Sequence, residues 1–252
     1  MTTHDPATVR RERMAPEARR EAILDAAQSL FMQGGYEAVT IADVLEAAGI
    51  SKGGFYHHFA AKEDLLAGVL ARMTDQGLAV AEAARSGTDG DALARLNAFL
   101  ASSLRWKADN ADELRAFADV LLRPGNDVLF QRAFAATAAA VVPVLEAMVA
   151  EGVREGLFDV ADPRLVAEVV VGLSQGRQAV LAATVADAAA GGIDAATARL
   201  DARMRAEGAT CDRLLGLPPG SVALSSPDDY RRMLAGLAGG GADDPGASAS
   251  DR

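Results

Sequence analysis

The stretch Thr40–Lys62, TIADVLEAAGISKGGFYHHFAAK, constrains the fold more than any other part of the chain. Thr40 and Asp43 have capping-box spacing, in which a hydroxyl takes an orphan amide of the first helical turn and a carboxylate reaches back. Asp43 is a shorter partner than the usual glutamate. Ile41, Val44, Leu45 and Ala48 repeat at helical spacing and predict one buried face. Gly49 suits the left-handed residue that ends a helix, since it has no Cβ to clash. Ile50 is apolar within the turn and predicts a plug between two helices. Ser51 can cap a following helix over about Lys52–Phe59. Helix, short glycine turn and helix is the helix-turn-helix arrangement, whose second helix enters a major groove.

The second helix sorts its residues by face. Phe55 and Phe59 lie four apart on one side, while Lys52, Gly53, His57 and the Tyr56 hydroxyl can lie on the other. Glycines at 53 and 54 cost a helix about 1 kcal/mol each relative to alanine. Close approach of bare backbone to phosphate is one reason for that cost. A longer turn is the alternative. A preceding helix is predicted from Pro16 to Gly34-Gly35, with Ile23, Ala26, Ala27, Leu30 and Phe31 on its apolar face.

These residues lead to a family. The chain resembles the TetR family of one-component transcriptional repressors along Arg19-Arg20-Glu21-Ala22-Ile23-Leu24-Asp25-Ala26-Ala27, Leu30-Phe31, Gly34-Gly35-Tyr36 and Thr40-Ile41-Ala42. The likeness continues through Ala48-Gly49-Ile50-Ser51-Lys52-Gly53 and Phe55-Tyr56-His57-His58-Phe59 to Lys62-Glu63-Asp64-Leu65-Leu66, roughly the first quarter of the chain. The resemblance implies that Thr40 touches phosphate and that Ser51, Lys52 and Gly53 open the recognition helix. It implies that Tyr56 and His57 meet phosphate or base edges, and that Lys62 holds a phosphate. Two residues depart from the family. Gly54 stands where a base-touching side chain is common, and Ala61 stands where a capping serine is common.

Composition supports an all-α class: half the residues are apolar, only 5% are aromatic, and β-branched runs are scarce. The expected organisation is a flexible arm over residues 1–15, a three-helix helix-turn-helix domain over 16–62, a larger helical ligand-binding and dimerisation domain over 63–238, and a disordered tail over 239–252. Arg10, Arg11 and Arg13 in the arm could reach a minor groove or remain solvated. Net charge is −10, but residues 6–62 hold seven Lys and Arg against seven Asp and Glu. The excess acid therefore lies elsewhere, where it would weaken background binding to DNA. A single cysteine, Cys211, fits a reducing cytoplasm. The apolar run Ala138–Leu145 is short of the ~20 residues that span a bilayer, so no membrane partner is expected. The expected partners are operator DNA, a small-molecule effector and a second copy of the chain, with no cofactor.

Helical signals continue from Lys62 to about Leu237. In the resembling family the last two long body helices pair across a dimer, which here corresponds to about Pro163–Ala186 and Ala195–Leu215. Val166, Val169, Val170, Leu173, Val180 and Leu181 form an apolar stripe for that role, with Gly172 and Gly176 allowing close approach. Burial within one subunit is the alternative. A ligand pocket is expected between body helices. Its candidates are Phe99, Trp106, Phe117, Phe134, Met148 and Gln175, although a side chain of any of these types taken singly is more often ordinary core. Arg177 is the most pointed, because a charge in an apolar helix needs a partner. That partner is either an acidic ligand or an Asp or Glu.

One enzymatic motif competes. Gly172-Leu173-Ser174-Gln175-Gly176 matches G-x-S-x-G, the nucleophile turn of serine hydrolases. It falls inside a helical pattern, and no histidine follows it, since the three are His4, His57 and His58. A metal site is equally unfavoured: adjacent histidines on a helix diverge by about 100°, and one cysteine makes no thiolate cluster. No enzyme and no metal are expected.

Overall fold

The computed structural model describes residues 15–123 and 125–239. The basic arm and nearly all of the expected tail lie outside the described residues. Eleven helices occur among them: α1 Pro16–Gly34, α2 Ile41–Ala48, α3 Lys52–Tyr56, α4 Lys62–Ser86, α5 Ala92–Asp109, α6 Ala111–Leu121, α7 Asp127–Arg154, α8 Pro163–Gly176, α9 Gln178–Ala189, α10 Ile193–Leu215 and α11 Pro227–Leu237. The described residues contain no strand.

Their starts follow local chemistry. Pro16, Pro163 and Pro227 sit in the first turns of α1, α8 and α11, where the missing N–H costs nothing. Asp91 caps α5 and Asp162 caps α8 by accepting from Ala94 N and Leu165 N at 2.9 and 3.0 Å. Pro143 stays inside α7, with its exposed ring on a groove between α4 and α7.

The first core gathers Ile23, Leu24, Ala27 and Phe31 of α1, Val44 of α2, Phe55 of α3 and Leu65, Leu66, Val69 and Met73 of α4. Phe117 and Val120 of α6 close it. The first half of α4 therefore packs with the helices before it, although the sequence placed residues 63 onward in the following domain. The second core joins the far half of α4 to α5, α7, α8 and the end of α10. A third sets Tyr230 and Leu234 of α11 on Ala196, Leu200 and Met204 of α10. α4 thus contributes side chains to both the first and the second core. Arg85 fastens the distal end of α4 by an ion pair to Glu151 of α7 at 2.9 Å, and Arg95 of α5 meets the same carboxylate at 2.7 Å.

Two helix expectations are corrected. The helix expected over Lys52–Phe59 is α-helical only through Tyr56. Gly53 and Gly54 supply little helical stability, and the chain leaves through turns in which His58 N and Phe59 N both donate to Phe55 O. The helix expected over Pro163–Ala186 breaks at Arg177, whose N–H bonds back to Ser174 O at 3.3 Å. Gly172 and Gly176 weaken the turns before that break.

Apolarity is also greater than the short run at Ala138 suggested. Two helical stretches, Asp127–Arg154 and Pro163–Ala189, are long and apolar enough to cross a membrane by length and composition alone. Interior helices of globular proteins meet the same criterion, and α7 and α8 lay Val142, Leu145, Val166 and Val171 into the second core.

Candidate nucleic-acid interface

The helix-turn-helix is built by local bonds. Asp43 N donates to Thr40 Oγ1 at 3.3 Å, and Thr40 N donates to Asp43 Oδ2 at 2.7 Å, so the shorter aspartate does complete the box. The Thr40 amide first, and its hydroxyl second, hold the Asp43 carboxyl below its usual range. Because the hydroxyl also donates to Asp43 Oδ2 at 2.8 Å, a phosphate at Thr40 must turn that proton away. Gly49 ends α2 at φ 63° and ψ 34°, a conformation that disfavours any Cβ. Ile50 is partly buried against the first core. Ser51 Oγ accepts from Gly54 N at 3.2 Å and so starts α3.

Burial then fixes the rotation of α3. Phe55 is 0% and Phe59 5% exposed, and their rings lie 5.9 Å apart in the core. Ser51, Lys52, Gly53, Tyr56 and His57 are all exposed, Tyr56 at 48%. Thr40 is exposed at the start of α2, and Lys62 is half-buried at the start of α4. Five of the seven predicted contact residues therefore share the short α3 segment, with the other two at neighbouring helix starts.

The remaining geometry concerns how cations are held. Lys62 Nζ lies 4.2 Å from the Tyr36 ring centroid and donates to Glu37 O at 3.4 Å. Lys52 Nζ lies 6.0 Å from the Tyr56 ring centroid. Arg19 Cδ lies 3.8 Å from where a Cβ on Gly54 would sit, so α1 approaches the recognition helix. Sequence reading missed Tyr36 and Arg19 as neighbours of this surface; an aromatic-lysine pair 26 positions apart leaves no periodic signal. Ala61 has no capping oxygen, but Asp64 Oδ2 accepts from Ala60 N and Ala61 N at 3.0 and 3.1 Å.

The pocket candidates are dispersed. Phe117 belongs to the first core with Trp106 against it, while Phe99 and Met148 belong to the second with Phe134 against it. Met148 also lines the groove between α4 and α7, about 770 Å³ in volume, with Leu78, Pro143, Arg85 and Glu151. Gln175 bonds to Gln131 at 2.7 Å. Arg177 meets a carboxylate of its own chain: its Nε donates to both oxygens of Glu207 at 2.9 and 3.1 Å.

The candidate dimer residues divide as well. Val166 is buried in the second core, with Val170 and Leu173 packed against it, and Leu181 packs on the third. Val180 is half-buried. Val169 is 39% exposed, and Leu165, one turn earlier, is 56% exposed. A Cβ on Gly172 would meet open space. Ser174 lies within α8 and donates to Val171 O at 2.6 Å, which is not the sharp strand-to-helix turn of a hydrolase nucleophile.

With α2 and α3 joined through the left-handed Gly49 and anchored by buried Phe55 and Phe59, the described residues form an all-α fold with a helix-turn-helix. Residues 23–69 match the model of the bacterial regulatory proteins of the tetR family. The HTH-type transcriptional repressor KstR2 of Mycolicibacterium smegmatis is 38% identical over 60 residues, which cover 24% of this chain and 29% of that protein. ComR of Escherichia coli K12, another HTH-type transcriptional repressor, is 40% identical over 84 residues, 33% of this chain and 40% of that protein. The match to these relatives thus spans well under half of their length. The HTH-type transcriptional regulator RutR of E. coli K12 is 28% identical over 164 residues, 65% of this chain and 76% of that protein. Among solved structures, RolR in complex with resorcinol superposes with a TM-score of 0.57 at 19% identity, covering 87% of this chain and 94% of its own. Over residues 23–69 the chain is thus similar to the DNA-binding part of the tetR family of bacterial regulatory proteins.

Proposed function

We propose that this protein is a DNA-binding transcriptional regulator, a repressor released from its operator by a small-molecule ligand. The observation that carries the reading is the rotation of α3. Phe55 and Phe59 are locked in the core, and Ser51, Lys52, Gly53, Tyr56 and His57 stand together in solvent. Lys52 supplies charge to phosphate, Gly53 lets the backbone approach, and Tyr56 and His57 offer polar ring atoms to phosphate or base edges. Lys62 adds a second cation from α4, and Thr40 a hydroxyl from α2.

Reading two successive major grooves needs two such helices about 34–36 Å apart, hence a dimer. We place its interface on the outer face of α8, where Leu165, Val169, Gly172 and Gly176 follow a helical repeat and remain accessible. Val166, Val170 and Leu173 serve the subunit's own core. The ligand acts on the body, and α4 carries its effect to the helix-turn-helix. A bound effector that favours the wrong spacing lowers operator affinity by the coupling free energy, typically 1–3 kcal/mol. RolR, solved with resorcinol, has a body of the same fold, which supports a small-molecule effector here. Such a regulator works in the cytoplasm or nucleoid.

The test is a gel shift with DNA from the gene's own upstream intergenic region, run beside sedimentation of the free protein. A retarded complex formed by a dimer, and released by at least one added metabolite, is expected. A monomer that ignores every duplex fragment at low salt contradicts the reading.

A further inference from the structure

The groove between α4 and α7, about 770 Å³ in volume, has an apolar middle and charges towards its ends. Leu78 and Ala79 of α4 and Val144, Ala147 and Met148 of α7 line that middle. The two helices run parallel. The hydroxyls of Thr74 and Thr137 lie 3.4 Å apart, and further along both helices Arg85 pairs with Glu151 at 2.9 Å. One end of the groove therefore lies by Asp75, close to the first core that Met73 joins, and the other by Arg154.

The charged groups that line it divide into two kinds. Arg85 Nε donates to both oxygens of Glu82 at 3.0 and 2.9 Å, and its Nη1 donates to Glu151, which Arg95 also holds. Those carboxylates are engaged. Asp75 and Arg154 are exposed on the same groove, and no hydrogen bond or ion pair is found for either among the described residues. Arg85 lies about 15 Å beyond Asp75 along α4, and Arg154 follows Glu151 by most of a turn. An unpaired carboxylate and an unpaired guanidinium thus stand roughly 15–20 Å apart at opposite ends of an apolar trough.

We propose that this groove takes a short apolar peptide in extended form, its terminal ammonium at Asp75 and its terminal carboxylate at Arg154. This names the chemical class of the effector and so rests on the ligand-responsive regulator proposed above. A chain extends about 3.3–3.6 Å per residue, so about five residues match the span. Alternate side chains turn to the apolar floor. Pro143 and Ala147 are exposed, so the groove is open to water and the peptide's own amides keep their hydration. An alkyl acid or an alkyl amine would satisfy one end only. The bound peptide would lie along α4, the helix that also carries Leu65, Leu66, Val69 and Met73 of the first core.

The full chain is titrated at pH 7 with pentapeptides of alanine, valine, leucine and phenylalanine, each free, N-acetylated, C-amidated or capped at both ends. Binding is read by calorimetry and by emission of Trp106, the single tryptophan, whose ring lies 3.0 Å from where a Cβ on Gly77 of α4 would sit. At least one free pentapeptide should saturate, and capping either end should weaken it about threefold, the scale of one exposed ion pair. Asp75→Asn should weaken the free peptide by the same factor and leave the acetylated one unchanged; Arg154→Gln should do likewise for the amidated one. Ala147→Trp fills the groove from an exposed position and should weaken all of them tenfold or more; Ala79→Trp repeats the test should that variant not fold. No binding by any free pentapeptide, an end whose capping costs nothing, or full binding to the tryptophan variants overturns the proposal. The gel shift on upstream DNA is run on the same samples. DNA that is shifted by the protein and not released by a bound peptide overturns the effector role, and DNA shifted while no peptide binds sinks the groove alone. If the protein shifts no DNA, the regulator reading fails and the groove is decided by the titration.

Discussion

Gly53→Ala separates the cost of a residue to folding from its use in binding. A Cβ at position 53 would meet nothing within 4 Å, and the backbone there is not in the left-handed region. Alanine is a better helix former than glycine by about 1 kcal/mol. In a five-residue helix near its first turn, we expect about half to all of that, which raises the melting temperature of a protein this size by about 1–4 °C. On DNA the same methyl stands on the solvent face of α3, where a phosphate would approach bare backbone. Holding that contact off by a methyl radius should cost tenfold or more in affinity, about 1.4 kcal/mol. Thermal melting and fluorescence anisotropy on operator DNA, both at fixed salt, give the two numbers. A variant that melts higher and binds tenfold weaker fits the account. One that melts higher and binds equally well shows that Gly53 does not face the duplex, and refutes the reasoning.

Other perturbations probe the packing and the ion pairs. Gly152→Ala should destabilise by about 3 kcal/mol or more in urea unfolding, because its Cβ would lie 2.1 Å from Cδ2 of buried Phe158; a neutral result would contradict that approach. Gly49→Ala should cost about 1–2 kcal/mol, the penalty of a left-handed residue with a Cβ, and a loss under a few tenths would mean the turn relaxes. Lys62→Ala should weaken binding to every sequence and reduce the slope of log affinity against log salt by about one; an altered choice between operators at unchanged slope would place Lys62 on a base. Burial pushes the Cys211 thiol up to about 11 and the Tyr36 phenol up to about 12. Both folded values exceed the ordinary values of 9.0 and 10.0 for an exposed thiol and phenol. Their contribution to stability is complete below those values and falls as pH rises from about 9 towards 12. A stability that rose across that range would contradict both burials.

What the sequence revealed and what it hid follow from distance along the chain. The Thr40–Asp43 box, the left-handed Gly49 and the Ser51 cap are contacts within a few residues, so residue type and spacing suffice to read them. The inward turn of Phe55 and Phe59 follows from a spacing of four. The length of α3 was less legible, because two adjacent glycines weaken a helix without saying where it ends. On α8, leucine and valines occupy two faces at once, at Leu165 and Val169 and at Val166 and Val170. Periodicity therefore could not tell the face turned to the core from the face left open. The partner of Arg177 lies 30 residues away on α10, and the ring over which Lys62 rests lies 26 positions upstream. Such pairs depend on how helices cross, and a single chain without its packing carries no record of that angle.

Hydroxyl-radical footprinting of the protein on its own upstream DNA tests the central claim most directly. The account predicts two protected patches on one face of the duplex, a whole number of helical turns apart, both fading together in the Gly53→Ala protein. Uniform protection along the fragment, a single patch, or none at low salt would contradict it.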